Sequence, residues 1–165
     1  MKEKIWFEMY QAKFMSKYFS LLIAKRRKIY DILHITSFII ATAGVILFRF
    51  DANFTWAAIS MVVVLLAASY VLPAFIPSPE MLLKIENTVA FYSKLFIELE
   101  KLWHKFGKNE ISENDLSESL FEVMNKVAEQ EKVIDSFLKT NKESIWQQSK
   151  ADTDTYFHSV FKISV

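Results

Sequence analysis

The chain has no cysteine, and only two glycines and three prolines stand among its 165 residues. Without cysteine there is no disulfide, no thiolate nucleophile and no Cys-ligated zinc, and the redox compartment leaves no mark. So few glycines argue against an all-β fold, whose frequent turns need Gly or Asn at positive φ. They also exclude a phosphate-cradling loop or a dinucleotide fingerprint, each of which sets two or three glycines in one turn, because Gly44 and Gly107 stand alone. What the chain has in plenty is apolar surface: 52% of residues are hydrophobic and 15% aromatic. The expected fold class is all-α.

A net charge of +1 conceals a segregated chain. Residues 1–28 hold 8 Lys or Arg against 2 acids, residues 29–77 hold 1 Arg and 2 Asp, and residues 78–165 hold 11 Lys against 15 acids. The middle block contains two apolar runs, Ile29 to Phe50 and Phe54 to Ile76, parted only by Asp51, Ala52 and Asn53. As helices they extend roughly 33 and 35 Å, against a hydrocarbon core of about 30 Å. Ile39, Ile40, Val45, Ile46 and Leu47, then Val62 to Leu66, are apolar on every face, unlike a helix with one solvated side. Tyr30 and Tyr70 near one end, with Phe50 and Trp56 near the other, suit aromatic belts. The expectation is therefore an integral membrane protein built on a two-helix transmembrane hairpin, residues 29–77.

A cleavable signal peptide is imitated by Lys25-Arg26-Arg27-Lys28, the apolar stretch and Ala41-Thr42-Ala43. Its leading segment is too long and too patterned, however, and apolar residues continue to Phe48. The same basic cluster, Lys25, Arg26, Arg27 and Lys28, serves instead as a topology signal and lipid-headgroup contact. It keeps the N-terminus cytoplasmic, and two spans return the C-terminus to that side. That role also accounts for the cluster without a nucleic acid polymer as partner.

Residues 1–28 read as an N-terminal amphipathic helix, with Trp6, Tyr10, Phe14, Tyr18 and Leu21 recurring among lysines. It either lies along the membrane surface or packs on the cytoplasmic helices, and the pattern leaves both open. Residues 78–165 form the cytoplasmic helical region, a bundle or coiled coil. Ser78-Pro79-Glu80 opens a helix running to about Phe106, whose Leu82, Ile85, Val89, Tyr92, Phe96, Leu99, Trp103 and Phe106 keep a 3-4 heptad alternation. That stripe is a candidate oligomerisation seam, which makes a homo-oligomer the expected assembly. Gly107, Lys108 and Asn109 close the helix, and Ser112 with Asp115 resembles a capping box for the next. Leu116, Leu120, Val123, Val127, Ile134 and Phe137 line that helix. Asn141 marks a break before a last helix bearing Ile145, Trp146, Tyr156, Phe157, Val160 and Phe161.

Chemistry is sparse. His34, His104 and His158 fit no metal-ligand spacing. Glu100 and His104 lie one turn apart beside Lys101 and Lys105, as an exposed helical pair does. Asp152-Thr153-Asp154 resembles a metal-and-nucleotide motif of sugar transferases but lacks the surrounding α/β pattern. No catalytic group, metal or cofactor is expected, and the protein reads as a non-enzyme. The polar face of the first span is more telling. Asp31, His34, Ser37, Ala41 and Gly44 share one side at helical spacing, which suits either lining a pore or packing on the second helix.

The order of parts resembles the SLATT proteins, the SMODS- and SLOG-associating two-transmembrane effectors of bacterial conflict systems. The likeness rests on Tyr18 to Tyr30, the two spans, Pro79 to Phe106 and Leu116 to Val127, and it is one of layout. The resemblance implies an antiphage effector in the bacterial inner membrane, held inert until a signal arrives. It then oligomerises or rearranges and permeabilises the membrane, causing growth arrest or abortive infection. It also implies a neighbouring nucleotidyltransferase and a cyclic nucleotide or oligonucleotide signal, received by the helical tail or by another protein. The alternative is a membrane adaptor that recruits a soluble partner without breaching the bilayer.

Overall fold

A computed structural model describes residues 1–50, 60, 63, 78–138 and 143–161, with the side chains at 33, 41 and 44–50 not described. Among the described residues every regular element is an α-helix: α1 (Lys2–Phe50), α2 (Pro79–Gly107), α3 (Glu113–Asp135) and α4 (Glu143–Phe161). The chain is all-α. It divides into two compact units, one of Met1–Ile23 with Leu83–Val165 and one of Ala24–Leu82.

The first unit is an up-down-up-down four-helix bundle. Ring pairs give the directions: Trp6 meets Trp103 and Phe19 meets Tyr92, so α1 and α2 are antiparallel. Phe14 meets Trp146 and Trp6 meets Phe157, so α4 also opposes α1. α3 runs with α1, since Lys4 lies over Phe121 and Phe19 meets Phe137 just past the end of α3. Thr88 accepts a hydrogen bond from Gln130 at 2.9 Å, joining α2 to α3. The core is Ile5, Met9, Phe14, Tyr18, Phe19 and Leu22 of α1, Ile85, Tyr92, Leu95, Phe96 and Leu99 of α2, Leu116, Leu120, Val123 and Ile134 of α3, and Ile145 and Phe157 of α4. Each fully buried large side chain of this kind contributes roughly 1.5–3 kcal/mol.

The helix ends follow local chemistry. The Ser78 hydroxyl accepts from the Met81 amide at 3.2 Å and opens α2. Ser112 caps α3, accepting from the Asp115 amide at 3.2 Å while its hydroxyl donates to the Asp115 carboxylate at 2.7 Å. α2 ends in a Schellman motif: the Glu110 amide bonds the Lys105 carbonyl and the Asn109 amide bonds the Phe106 carbonyl. The left-handed residue is Asn109, at φ 57°, whereas Gly107 still lies within the helix.

The structure bears on three expectations. Residues 1–28 are expected as a unit of their own; Met1–Ile23 instead groups with Leu83–Val165, and α1 runs on through the boundary from Lys2 to Phe50. The rise in positive charge at Lys25 to Lys28 breaks nothing, since Ala, Lys and Arg are all good helix formers. Of the two placements left open for the leading helix, the structure has packing on the helices of residues 83–161. The candidate oligomerisation seam is covered in part within one chain. Ile85, Tyr92, Phe96 and Leu99 are buried, and Leu82, Val89, Trp103 and Phe106 are half-buried. Phe19, Trp6, Tyr156 and Phe157 of the same chain meet its rings.

In the second unit, Arg26 reaches the Met81 thioether sulfur at 2.7 Å. No helix among the described residues is long and apolar enough to cross a membrane. The first apolar run forms the C-terminal part of α1, with side chains described as far as Ala43. The second run is described only at Ser60 and Val63. The connecting turn, the paired span with Trp56 and Tyr70, and the break at Asn141 therefore lie outside the described residues.

Candidate functional site

Two places concentrate unusual chemistry. The first is the stretch of α1 from Ile29 to Ala43. Ile29, Ile32, Ile35, Phe38 and Ile39 are all exposed, Phe38 to 73%. At about 100° per residue they sweep roughly half of the helix circumference. Contiguous apolar surface of this extent marks contact with protein or lipid. Among the candidate pore-lining residues, Asp31 and His34 are exposed and Ser37 is half-buried. The His34 imidazole sits 4.3 Å from the Tyr30 ring. Ala41 and Gly44 are described only as helical backbone, so the polar face is traced over its first three members. In the basic cluster, Lys25, Arg27 and Lys28 are exposed and Arg26 is half-buried at the Met81 sulfur.

The second place is the contact of α1 and α2 with α4. The Tyr10 phenol donates to the Asp154 carboxylate at 2.5 Å. The Lys13 ammonium lies 3.7 Å from the centre of the Tyr156 ring and 4.6 Å from that of Phe96. Burial pushes the Tyr10 phenol well above the usual tyrosine range, and the hydrogen bond and charge of Asp154 add to it. Burial lowers Lys13, with Lys17 adding to the shift and Glu100 opposing it. The two ring faces also favour the cation. Burial and then the charge of Glu100 raise Tyr156.

This cluster is a clamp between helices. Burial shifts its two phenols upward, and its carboxylate accepts from one of them. Asp152-Thr153-Asp154 does not act as one motif: Thr153 is fully buried with its hydroxyl on the Ser149 carbonyl, Asp154 receives Tyr10, and Asp152 is exposed. His104 is exposed and Glu100 half-buried. Among the described residues no three His, Cys, Asp or Glu side chains could hold a metal ion.

Sequence reasoning missed the clamp and the polar stripe beneath it. Ser149 and Thr153 are fully buried, yet their hydroxyls donate to the Ile145 and Ser149 carbonyls of their own helix. The spacing of Ile145, Ser149, Thr153 and Phe157 by four was the available signal. Compared with models of known protein families, with curated proteins and with solved structures, the chain matches none.

Proposed function

We propose that this protein is a membrane effector of the kind its resemblance to SLATT proteins implies. It sits in the bacterial inner membrane through residues 29–77, with both termini cytoplasmic, and on a signal it rearranges and permeabilises that membrane. The observation that carries the reading is the change of character along one helix. α1 buries Ile5, Met9, Phe14, Tyr18, Phe19 and Leu22 in a protein core, then presents Ile29, Ile32, Ile35, Phe38 and Ile39 to its surroundings. Bare apolar surface of that size is costly in water and favourable in acyl chains. A second apolar run of 23 residues follows within four positions, which supports a hairpin.

Two spans of one chain enclose no water, so permeabilisation requires several copies. A signal, nucleotide-derived and received directly or through a partner, must favour the assembled state by a few kcal/mol to shift the population. No covalent chemistry is involved, and no cofactor is required. Purified protein in dye-loaded vesicles tests the reading. Leakage that grows with assembly supports it, whereas intact vesicles at every degree of assembly contradict it.

The second reading is a membrane adaptor that recruits a soluble partner. It is favoured by burial of Ile85, Tyr92, Phe96 and Leu99 within the chain, which leaves less of the heptad stripe for gathering subunits.

A further inference from the structure

α2 carries a second stripe, on the side away from the core. Leu83, Ala90 and Ile97 recur every seven residues, and Lys94, Lys101 and Lys108 form a second column with the same period. Asn87 and His104 complete the two columns, so that the places alternate by four and three from 83 to 108, the spacing of a helix-packing seam. Every one of them is exposed, Leu83 to 57% and Ile97 to 48%. At about 100° per residue they keep within roughly 100° of one side of the helix over about 37 Å, and the buried Ile85, Tyr92 and Leu99 lie on the opposite side. The stripe has no carboxylate of its own. Of the two acids set among its lysines, Glu98 pairs with Lys126 of α3 at 3.5 Å. Glu100 is half-buried, and its charge acts on Lys13 and Tyr156. Among the described residues no carboxylate pairs with Lys94, Lys101 or Lys108.

The alternation of apolar and cationic places defines what covers this face. A single-stranded nucleic acid would take the ammoniums but leave Leu83 and Ile97 in water, and the stripe offers no aromatic ring to a base. A second copy joined through the stripe would bring lysines and no carboxylate, which sets like charges together or leaves them unpaired. A helix with the same 3-4 spacing, apolar in one column and acidic in the other, fills both columns at once. Its apolar side chains meet Leu83, Ala90 and Ile97, and its carboxylates meet the three ammoniums. We propose that the outward face of α2 docks an acidic amphipathic helix of a partner protein. The lysines set the choice of partner, because they attract acidic helices and reject basic ones, while the apolar column supplies contact area. The inference goes beyond both functional readings: a helix seated here can address a breaching effector, or belong to the soluble protein that an adaptor recruits.

The test uses the full chain in detergent micelles and a fluorescent four-heptad peptide with Glu in one seam column and Leu in the other, its binding read by anisotropy. The peptide binds one to one. Lys94→Glu together with Lys101→Glu weakens it by about tenfold or more, as like charges now face each other. A peptide with Lys in place of Glu regains binding to that double variant, which a general loss of fold would not allow. Ile97→Ser weakens the acidic peptide by about threefold to tenfold. Lys132→Glu, a charge reversal at an exposed place on α3, leaves binding unchanged. No binding of the acidic peptide overturns the proposal, as does equal binding of a peptide with the same composition in scrambled order, or binding that survives the double reversal. A single-stranded oligonucleotide that displaces the peptide and binds more tightly also overturns it. So does a change in the chain's own oligomeric state in the stripe variants, which would mark the face as an interface between copies. Dye leakage is scored separately: intact vesicles contradict the effector reading and leave the docking face standing.

Discussion

Phe19 of α1 stacks on Tyr92 of α2 with ring centroids 6.2 Å apart and planes 10° from parallel. The contact joins the leading helix to the heptad stripe and shows what that stripe is for: it binds a helix of its own chain. Leu99 and Ile85 on the same stripe are wholly buried, whereas Ile97 stands 48% exposed two positions from Leu99.

Leu99→Ala therefore costs about 2–5 kcal/mol of bundle stability, and Ile97→Ala stays within about 0.5 kcal/mol. Denaturant unfolding followed by tryptophan fluorescence compares them, since Trp6, Trp103 and Trp146 all lie in the bundle. Equal effects would place the stripe outside the core.

At the end of α2 the conformational demand falls on Asn109 and not on Gly107. Asn109→Val costs about 1–2 kcal/mol, because a β-branched residue is strained in the left-handed region, while Asn109→Gly is tolerated. Gly107→Ala is neutral or stabilising by up to about 1 kcal/mol, as an added Cβ there meets nothing within 4 Å. Ser112→Ala loses the cap of α3 and costs about 0.5–2 kcal/mol. Thermal unfolding of the four variants ranks them.

Alkaline pH should weaken the bundle in a defined window. Burial, with the charge of Glu131 adding to it, pushes the Tyr92 phenol up to about 12, and Tyr10 and Tyr156 shift in the same direction. Below the ordinary tyrosine value of about 10 all are protonated in both states and nothing is lost. Above it the unfolded chain releases protons that the folded chain keeps, so stability falls from about pH 10 and is spent for Tyr92 by about pH 12. Lys13, lowered by burial, works in the opposite sense, and its window closes at its unfolded value near 10.5, below most of the tyrosine window. Stability measured against pH, with phenolate absorbance read alongside, gives the slope. Tyr92→Phe should flatten it, and an unchanged slope would mean that Tyr92 titrates normally.

Asp31 and His34 separate the two functional readings. Replacing both with Leu removes the polar end of the α1 face without touching the bundle core. A membrane-breaching effector then loses its toxicity on expression, whereas an adaptor keeps recruiting its partner. Membrane-potential dyes in expressing cells record the first outcome and co-purification the second.

Much of the helical layout was legible in the chain. The start of α2 at Pro79, the cap at Ser112 and the apolar stripes of α2 and α3 each follow from side-chain chemistry acting within a turn or two. What periodicity does not contain is the identity of the covering surface: Tyr92, Phe96 and Trp103 of the stripe meet rings of α1 and α4 in the same chain. The change of charge at Lys25 lies beside the unit boundary at Ile23/Ala24, while the helix itself runs on, because helix formation depends on backbone preference and not on charge alone. The Ser149–Thr153 stripe was invisible for a related reason: buried hydroxyls satisfied by their own helix look polar in sequence and behave as small core residues.

The central claim is that residues 29–76 lie in lipid as an uncleaved hairpin with both ends cytoplasmic. The most direct measurement is labelling of single introduced cysteines in intact cells, at position 1, position 52 and position 160, with a thiol reagent that does not cross the inner membrane. The account predicts labelling at 52 alone, with 1 and 160 labelled only after the membrane is opened. Labelling at one terminus but not the other, or recovery of the whole chain in the soluble fraction without detergent, would contradict it.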